Sequence, residues 1–329
     1  MSRSLTTVFA LLVTLTVAAA AAAADLGIVT GGEKGTYYQF GLDLQALAKR
    51  SGDTLAVHPS RGSIENVYAV YQRPGVQMGI VQSDVLAFVA RVQTDPVLKR
   101  IAKKTRLVFP LYNEEVHLLA HRGITAFEDL ADKRVAIGRE GSGNYLTARL
   151  LLNLAEVAPR EMLLIDTDEA LAELKAGRID AMFYVAGYPV RLFAEGVTEA
   201  DGLALVPIVN KSITEFYPSV EIPPDTYRWQ PQPVATVAVK AALVSFDYRR
   251  NDCENVGRFA RMLADNVDWL RANGHPKWKT VDLEYQLKGW EQYDCVRRHL
   301  GRRALPASAA SRSGSGNPVM DVIREILGD

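Results

Sequence analysis

Cysteine is almost missing from this chain: 329 residues contain two, Cys253 and Cys295. No C-x-x-C occurs, which excludes a dithiol redox centre and a four-cysteine zinc site. Net charge is missing as well, with 38 basic residues balanced by 38 acidic ones. Nothing in that balance points to nucleic acid or to an anionic membrane surface. Beyond the first 24 residues there is no apolar run long enough to cross a bilayer. Familiar catalytic signatures are absent too. There is no H-E-x-x-H, no G-K-[ST] closing a glycine loop, and no G-x-G-x-x-G spacing. A nucleophile elbow around Ser142 would need glycine two residues to either side, where Glu140 and Asn144 stand. His117 and His121 lie in an alternating stretch that reads as a strand, where four residues span about 13 Å, so a structural role is expected for both.

What is present begins with an export signal. Arg3 is the only charge in Met1–Ala24; Leu5–Val17 is apolar, and Ala22–Ala24 offers a small-residue cleavage site. A periplasmic location with the signal removed is expected, a retained membrane anchor being the alternative. In an oxidising compartment Cys253 and Cys295 most simply form one disulfide; two separate buried thiols are the other reading. The length suggests two domains.

The chain is organised around Leu26–Leu44, where a short apolar strand runs into three glycines (Gly31, Gly32, Gly35) and then a helical pattern. Strand, glycine turn and helix start gather unpaired backbone N–H groups at one point, a layout suited to a carboxylate or phosphate. It returns at Arg134–Gly138, followed by the turn Arg139–Asn144 and a helix over Leu146–Leu154. Two such turns suggest a ligand held between two walls.

Between and after them, strands alternate with helices. Thr54–His58, Gly79–Ser83, Leu107–Ala120, Glu161–Ile165 and Ala181–Val185 read as strands. The interleaved helical patterns include Asp84–Val92, a short capped turn at Ile124–Leu130, and Asp168–Ala176. That order predicts an α/β fold with largely parallel sheets and ligands beyond the C-terminal strand ends. Pro218–Pro233 reads as an extended surface connection, and Val234–Val244 as a buried strand returning to the first domain. Helices dominate to about Leu300. Ala304–Pro318 has linker composition, and Val319–Leu327 is a short amphipathic tail.

The turns offer neutral hydrogen-bonding groups: Thr30, Thr36, Tyr37, Ser63, Asn66, Gln82, Ser83, Ser142 and Asn144. Lys34, Arg61 and Arg139 stand in or beside the same loops, which favours a negatively charged ligand. No acid–base or nucleophile pair stands out, so binding without catalysis is expected.

Five motifs now occur in order: Thr30-Gly-Gly-x-x-Gly-Thr-Tyr-Tyr38, Gly62-Ser-x-Glu-Asn66, Ile80-Val-Gln-Ser-Asp84, Val135-Ala-Ile-Gly-x-x-Gly-Ser-Gly143 and Val185-Ala-Gly-Tyr-Pro189. In these the sequence resembles the TAXI branch of solute-binding proteins for tripartite ATP-independent periplasmic (TRAP) transporters. The resemblance runs from Asp25 to Val244 and more weakly to Leu300. It implies a two-lobed, type II-like periplasmic-binding-protein fold with two crossover strands. Lobe I would comprise 25–118 plus 237–305, lobe II 119–236, and 306–329 a linker and tail. It implies a small organic acid ligand (a glutamate-like amino acid, a keto acid or a dicarboxylate), no cofactor, and a TRAP-type membrane permease as partner. A periplasmic sensing subunit is the alternative. The cleft wall it implies comprises Thr30, Gly31, Lys34, Gly35, Thr36 and Tyr37; Arg61, Ser63 and Asn66; Gln82, Ser83 and Asp84; Arg139, Gly141, Ser142, Gly143 and Asn144; and Gly187, Tyr188 and Pro189. Lys34, Arg61 and Arg139–Glu140 depart from the neutral residues common in that family, and Asn144 from its threonine. The three added cations shift the expectation towards a more acidic ligand.

Overall fold

The computed structural model describes residues 25–91 and 96–305. The expected export signal and the expected C-terminal tail both lie outside the described residues. The chain opens as β1 (Asp25–Val29), α1 (Thr36–Arg50), β2 (Thr54–His58), α2 (Ser63–Gln72), β3 (Met78–Gln82), α3 (Ser83–Arg91) and α4 (Pro96–Lys104). A long strand β4 (Thr105–His121) follows, then β5 (Arg134–Ala136), α5 (Gly143–Leu154), β6 (Glu161–Leu163), α6 (Thr167–Lys175), β7 (Ala181–Ala186), α7 (Arg191–Gly196), β8 (Leu203–Leu205), α8 (Lys211–Thr214) and β9 (Ser219–Ile222). A second long strand β10 (Val234–Phe246) leads into α9 (Asn251–Asp265), α10 (Val267–Asn273) and α11 (Asp294–Leu300).

The helices and strands form where the apolar spacing requires them. In α1, Phe40, Leu44, Leu47 and Ala48 recur at helical intervals and are all buried, while Lys49 and Arg50 close the last turn where the helix dipole favours cations. All five residues of β3 are buried, as a central strand covered on both faces demands.

The sheet order is β2-β1-β3-β10-β4-β7-β5-β6, with β8 added on β4 and β9 on β10. β1 pairs in parallel with β2 and β3, and β5 in parallel with β6 and β7. These two parallel groups are joined only through β4 and β10, which run antiparallel to each other from Glu115↔Ala238 to Thr105↔Phe246. β10 also pairs with β3, and β4 with β7, so each long strand borders one group and the pair bridges the two. This is the two-lobed α/β architecture with two crossover strands. Separate cores lie on the two sides: one around Phe40, Tyr112, Phe259 and Trp278, another around Phe127, Leu151, Phe183 and Val237.

One segment departs from expectation. Pro218–Pro233 is not merely a surface connection. Ser219–Ile222 pairs with β10, and Tyr227 and Trp229 are buried in a stacked pair, with Trp229 Nε1 donating to Phe193 O at 3.1 Å. Large aromatic surfaces reward burial more than the prolines hinder it. His117 and His121 both lie on β4 as expected. His117 is fully buried between the carbonyl of Glu115, at 3.0 Å from Nδ1, and Tyr227 Oη, at 2.9 Å from Nε2. Burial lowers its pKa to about 4, so it stays neutral.

Cys253 on α9 and Cys295 on α11 are joined in a disulfide with Cα atoms 5.5 Å apart. The bond closes a loop with a sequence separation of 42. Chain-entropy reasoning assigns such a loop at most about 4 kcal/mol, and measured values are commonly about 2–4. Urea unfolding with and without reductant is expected to differ by that amount. Identical midpoints would show that the α9–α11 packing alone holds this end of the molecule.

Candidate functional site

Helix starts converge where the C-terminal ends of the parallel strands meet the crossover strands. The N-termini of α1, α2, α5 and α6 contribute Gly35–Thr36, Gly62–Ser63, Ser142–Gly143 and Asp166–Thr167 to the wall of one cavity of about 260 Å³. Small-molecule pockets usually begin near ~300 Å³, so the space suits a compact solute. The N-caps of α1, α2 and α6 make no side-chain cap hydrogen bond. Their first N–H groups therefore remain available to an anion. At α5, Ser142 Oγ accepts from Tyr145 N at 3.1 Å.

Two of the glycines are required where they stand. Gly62 sits at φ +116°, a conformation that L side chains rarely adopt. A Cβ on Gly143 would stand 1.7 Å from Gln82 Oε1 and 2.8 Å from Ser63 Oγ, so the second glycine turn presses directly on the end of β3 and the start of α2. Further contacts cross the same divide. Thr36 Oγ1 donates to Gly187 O at 2.6 Å, and Thr147 Oγ1 donates to Asp84 Oδ2 at 2.6 Å. Lys34 pairs with Asp168 across the mouth. The two walls are closed on each other.

Of the residues expected on the cleft wall, Gly31, Gly35, Thr36, Tyr37, Arg61 and Ser63 line the cavity, as do Gln82, Arg139, Ser142, Gly143 and Asn144. The others stand behind it or at its edge. Thr30 Oγ1 donates to His58 O at 2.9 Å, and Asn66 Nδ2 donates to Ile80 O at 2.6 Å, so both are engaged with backbone. Ser83 Oγ accepts from Lys240 N at 3.0 Å, tying α3 to β10. Asp84 is held by Thr147. Gly141 lies in a shallower depression beside the mouth. Gly187 accepts from Thr36, the Tyr188 ring lies 3.7 Å from Lys277 Nζ, and Pro189 O is 3.1 Å from His275 Nε2. Even Asn144 is largely a strut: Nδ2 donates to Phe183 O at 3.0 Å, and Oδ1 accepts from Val185 N at 3.0 Å.

All three cations have partners. Lys34 pairs with Asp168, Arg61 with Glu65 at 3.1 Å, and Arg139 with Asp166 at 2.6 Å. Local carboxylates offset the positive charge, which removes the premise for a more acidic ligand. Sequence reasoning passed over Asp166 and Asp168 because they sit on another segment, whereas Glu65 stands only four residues from Arg61. It also missed Ser60, Tyr184 and Glu114, which line the cavity. Glu114 had a visible signal: adjacent acids, Glu114-Glu115, inside the otherwise apolar stretch Leu107–Ala120.

Those acids lie at the crossover. Glu115 is buried and pairs with the equally buried Lys277 at 2.6 Å. Glu114, also buried, accepts from Tyr37 Oη at 2.8 Å and forms part of the cavity floor. Burial raises the pKa of Glu114 well above the usual carboxylate range.

The model of the NMT1-like family matches residues 28–292. Among solved structures, the periplasmic binding protein BugD is 9% identical; the match covers 92% of this chain and 96% of BugD with a TM-score of 0.57. A protein of Bordetella bronchiseptica RB50 is 14% identical over 92% of this chain and 88% of its own, with a TM-score of 0.49. A TctC solute-binding protein from Polaromonas is 13% identical over 92% and 96%, with a TM-score of 0.47. The likeness to BugD shows the fold, that of a periplasmic binding protein.

Asp84 supplies a test of the closed interface. Burial pushes its carboxyl up to about 6 from the model-peptide value of 3.8. The folded state therefore holds this proton more tightly than the unfolded chain. Its contribution is fully present below the unfolded pKa and is lost as pH rises through about 6. Two units correspond to about 3 kcal/mol. The stability of wild type relative to Asp84→Asn is expected to fall by up to that amount between pH 4 and pH 7 in urea unfolding. A constant difference would show that Asp84 is ionised in the fold.

Proposed function

The chain belongs to the NMT1-like family, and from that membership together with its cleft we propose that it is an extracytoplasmic solute-binding receptor. It captures a small organic anion between lobe I, 25–118 plus 237–305, and lobe II, 119–236. The observation that carries this reading is the convergence of four helix N-termini on one compact cavity. Such a site attracts a carboxylate through backbone N–H groups and helix dipoles without needing a cation in contact. Contacts that cross the divide, such as Thr36 with Gly187 and Thr147 with Asp84, exist only when the walls meet. Solute contacts completed by both walls would favour that same state, which is how a binding protein couples capture to closure.

The five ordered motifs favour the TAXI branch and delivery to a TRAP-type permease in the membrane. A periplasmic location follows from the export signal read in Met1–Ala24, and no helix among the described residues is long and apolar enough to cross a membrane.

A thermal-shift screen of the mature protein from Asp25 against amino acids, keto acids, dicarboxylates and sugars tests this reading. A solute that binds only the folded state raises the midpoint by mass action. A shift with one group of organic acids is the expected result. No shift with any acid, on a folded and ligand-free sample, would sink it. A second expectation follows from the paired cations. Lys34→Ala and Arg139→Ala each remove an exposed ion pair worth about 0–1 kcal/mol, so affinity for the hit should change less than about tenfold by calorimetry. A larger loss from either variant would place that cation on the ligand.

A further inference from the structure

The cavity has a charge arrangement that its glycine turns do not reveal. Its cations stand at the rim and are already paired with Asp166, Asp168 and Glu65. The ionisable carboxyl at its floor is Glu114, which is 2% exposed. Tyr37 Oη donates to one carboxyl oxygen of Glu114. Among the described residues no side-chain cation contacts Glu114, Lys277 Nζ being bound to Glu115. Gln82 also lines the space and is 3% exposed; its Oε1 has no hydrogen-bond partner among the described residues and packs against Gly143. A buried acidic acceptor lining one small cavity asks for N–H donors from whatever fills it.

The geometry points to Glu114 as the residue that reads an ammonium group on the solute. The helix N-termini take the carboxylate of that solute, so the cleft selects a zwitterion over the keto acid or simple acid of the same shape. This rests on the solute-receptor reading and narrows its ligand class. The titratable groups that interact with Glu114 are Tyr37 on α1, Asp84 at the start of α3, Glu115 and Tyr112 on β4, Tyr184 on β7, and Lys277 from the segment after α10. Burial is the largest cause that raises the Glu114 pKa, with Asp84 and Glu115 adding to it. An arriving ammonium supplies the missing positive charge. In that pair Glu114 is the carboxylate, so any proton it carried leaves to solvent, and the buried charge is matched by N–H donors.

The test is calorimetric titration at pH 7 with three matched sets. They are L-glutamate, 2-oxoglutarate and glutarate; L-alanine, pyruvate and propionate; and L-leucine, 4-methyl-2-oxopentanoate and 4-methylpentanoate. One amino acid is expected to bind at least about tenfold more tightly than its two partners, a difference of about 1.4 kcal/mol. Measured in two buffers of different ionisation enthalpy, its binding should release protons. In Glu114→Gln, the preference should fall below about threefold and the release should vanish. Glu114→Asp, which keeps the acid, should retain the preference at weaker affinity and guards against a folding defect in the glutamine variant. A keto or simple acid that binds as tightly as its amino partner overturns the inference and leaves the receptor reading standing. So does a preference that survives Glu114→Gln, or binding without proton release. If nothing in any set binds, the organic-acid reading fails and the inference falls with it.

Discussion

The antiparallel pairing of β4 with β10 is the constraint on which the rest of the molecule depends. Among the described residues the two parallel strand groups have no other connection within the sheet, so the pairing of these two strands sets how the walls are joined. Their burial is nearly continuous, and β4 carries two acids through that interior. Glu115 is matched by Lys277, whose ammonium also lies against the Tyr188 ring. That arrangement ties the loop after β7 to the segment after α10. Breaking one partner of such a pair leaves a buried charge uncompensated, which costs about 3–5 kcal/mol. The pair is therefore better understood as fixing the geometry of the crossover than as a large net stabiliser.

Binding chemistry follows from the same arrangement. Parallel strands place their C-terminal ends, and the helix starts behind them, on one edge. With two parallel groups facing each other across β4 and β10, both sets of helix starts open into one space. Close approach of the walls explains Gly143, whereas Gly62 is needed for its positive φ. The floor is supplied by β4 itself, so Glu114 is positioned by the crossover strand and not by either glycine turn.

Much of this was legible in the chain order. The strand–glycine–helix layout, the alternation of strands and helices, and the long apolar run at Val234 all follow from local periodicity and turn chemistry. They correspond to β1–α1, β5–α5 and β10 with shifts of one to a few residues. The segment around Tyr227 and Trp229 was misread because its prolines announce a loop, whereas its aromatics are buried against Phe193 and His117. Arg61 has its partner four residues on, but partner choice for Lys34 and Arg139 was illegible for a related reason. Lys34 and Asp168 are 134 residues apart, and nothing local in either segment specifies the other.

By itself the sequence determined the α/β class, the two glycine turns that prepare anion sites, and the absence of redox or zinc chemistry built on four cysteines. These are local or compositional properties, set by the conformational freedom of glycine, the period of apolar residues and the count of cysteines. Tertiary structure alone decided which polar side chains face the cavity, which serve as backbone struts, and which charges cancel. Thr30, Asn66 and Asp84 were drawn into the interior, while Glu114 was delivered to the floor. Those outcomes depend on electrostatic and packing contacts between residues far apart in the chain, which exist only once β4 and β10 have brought the two walls together.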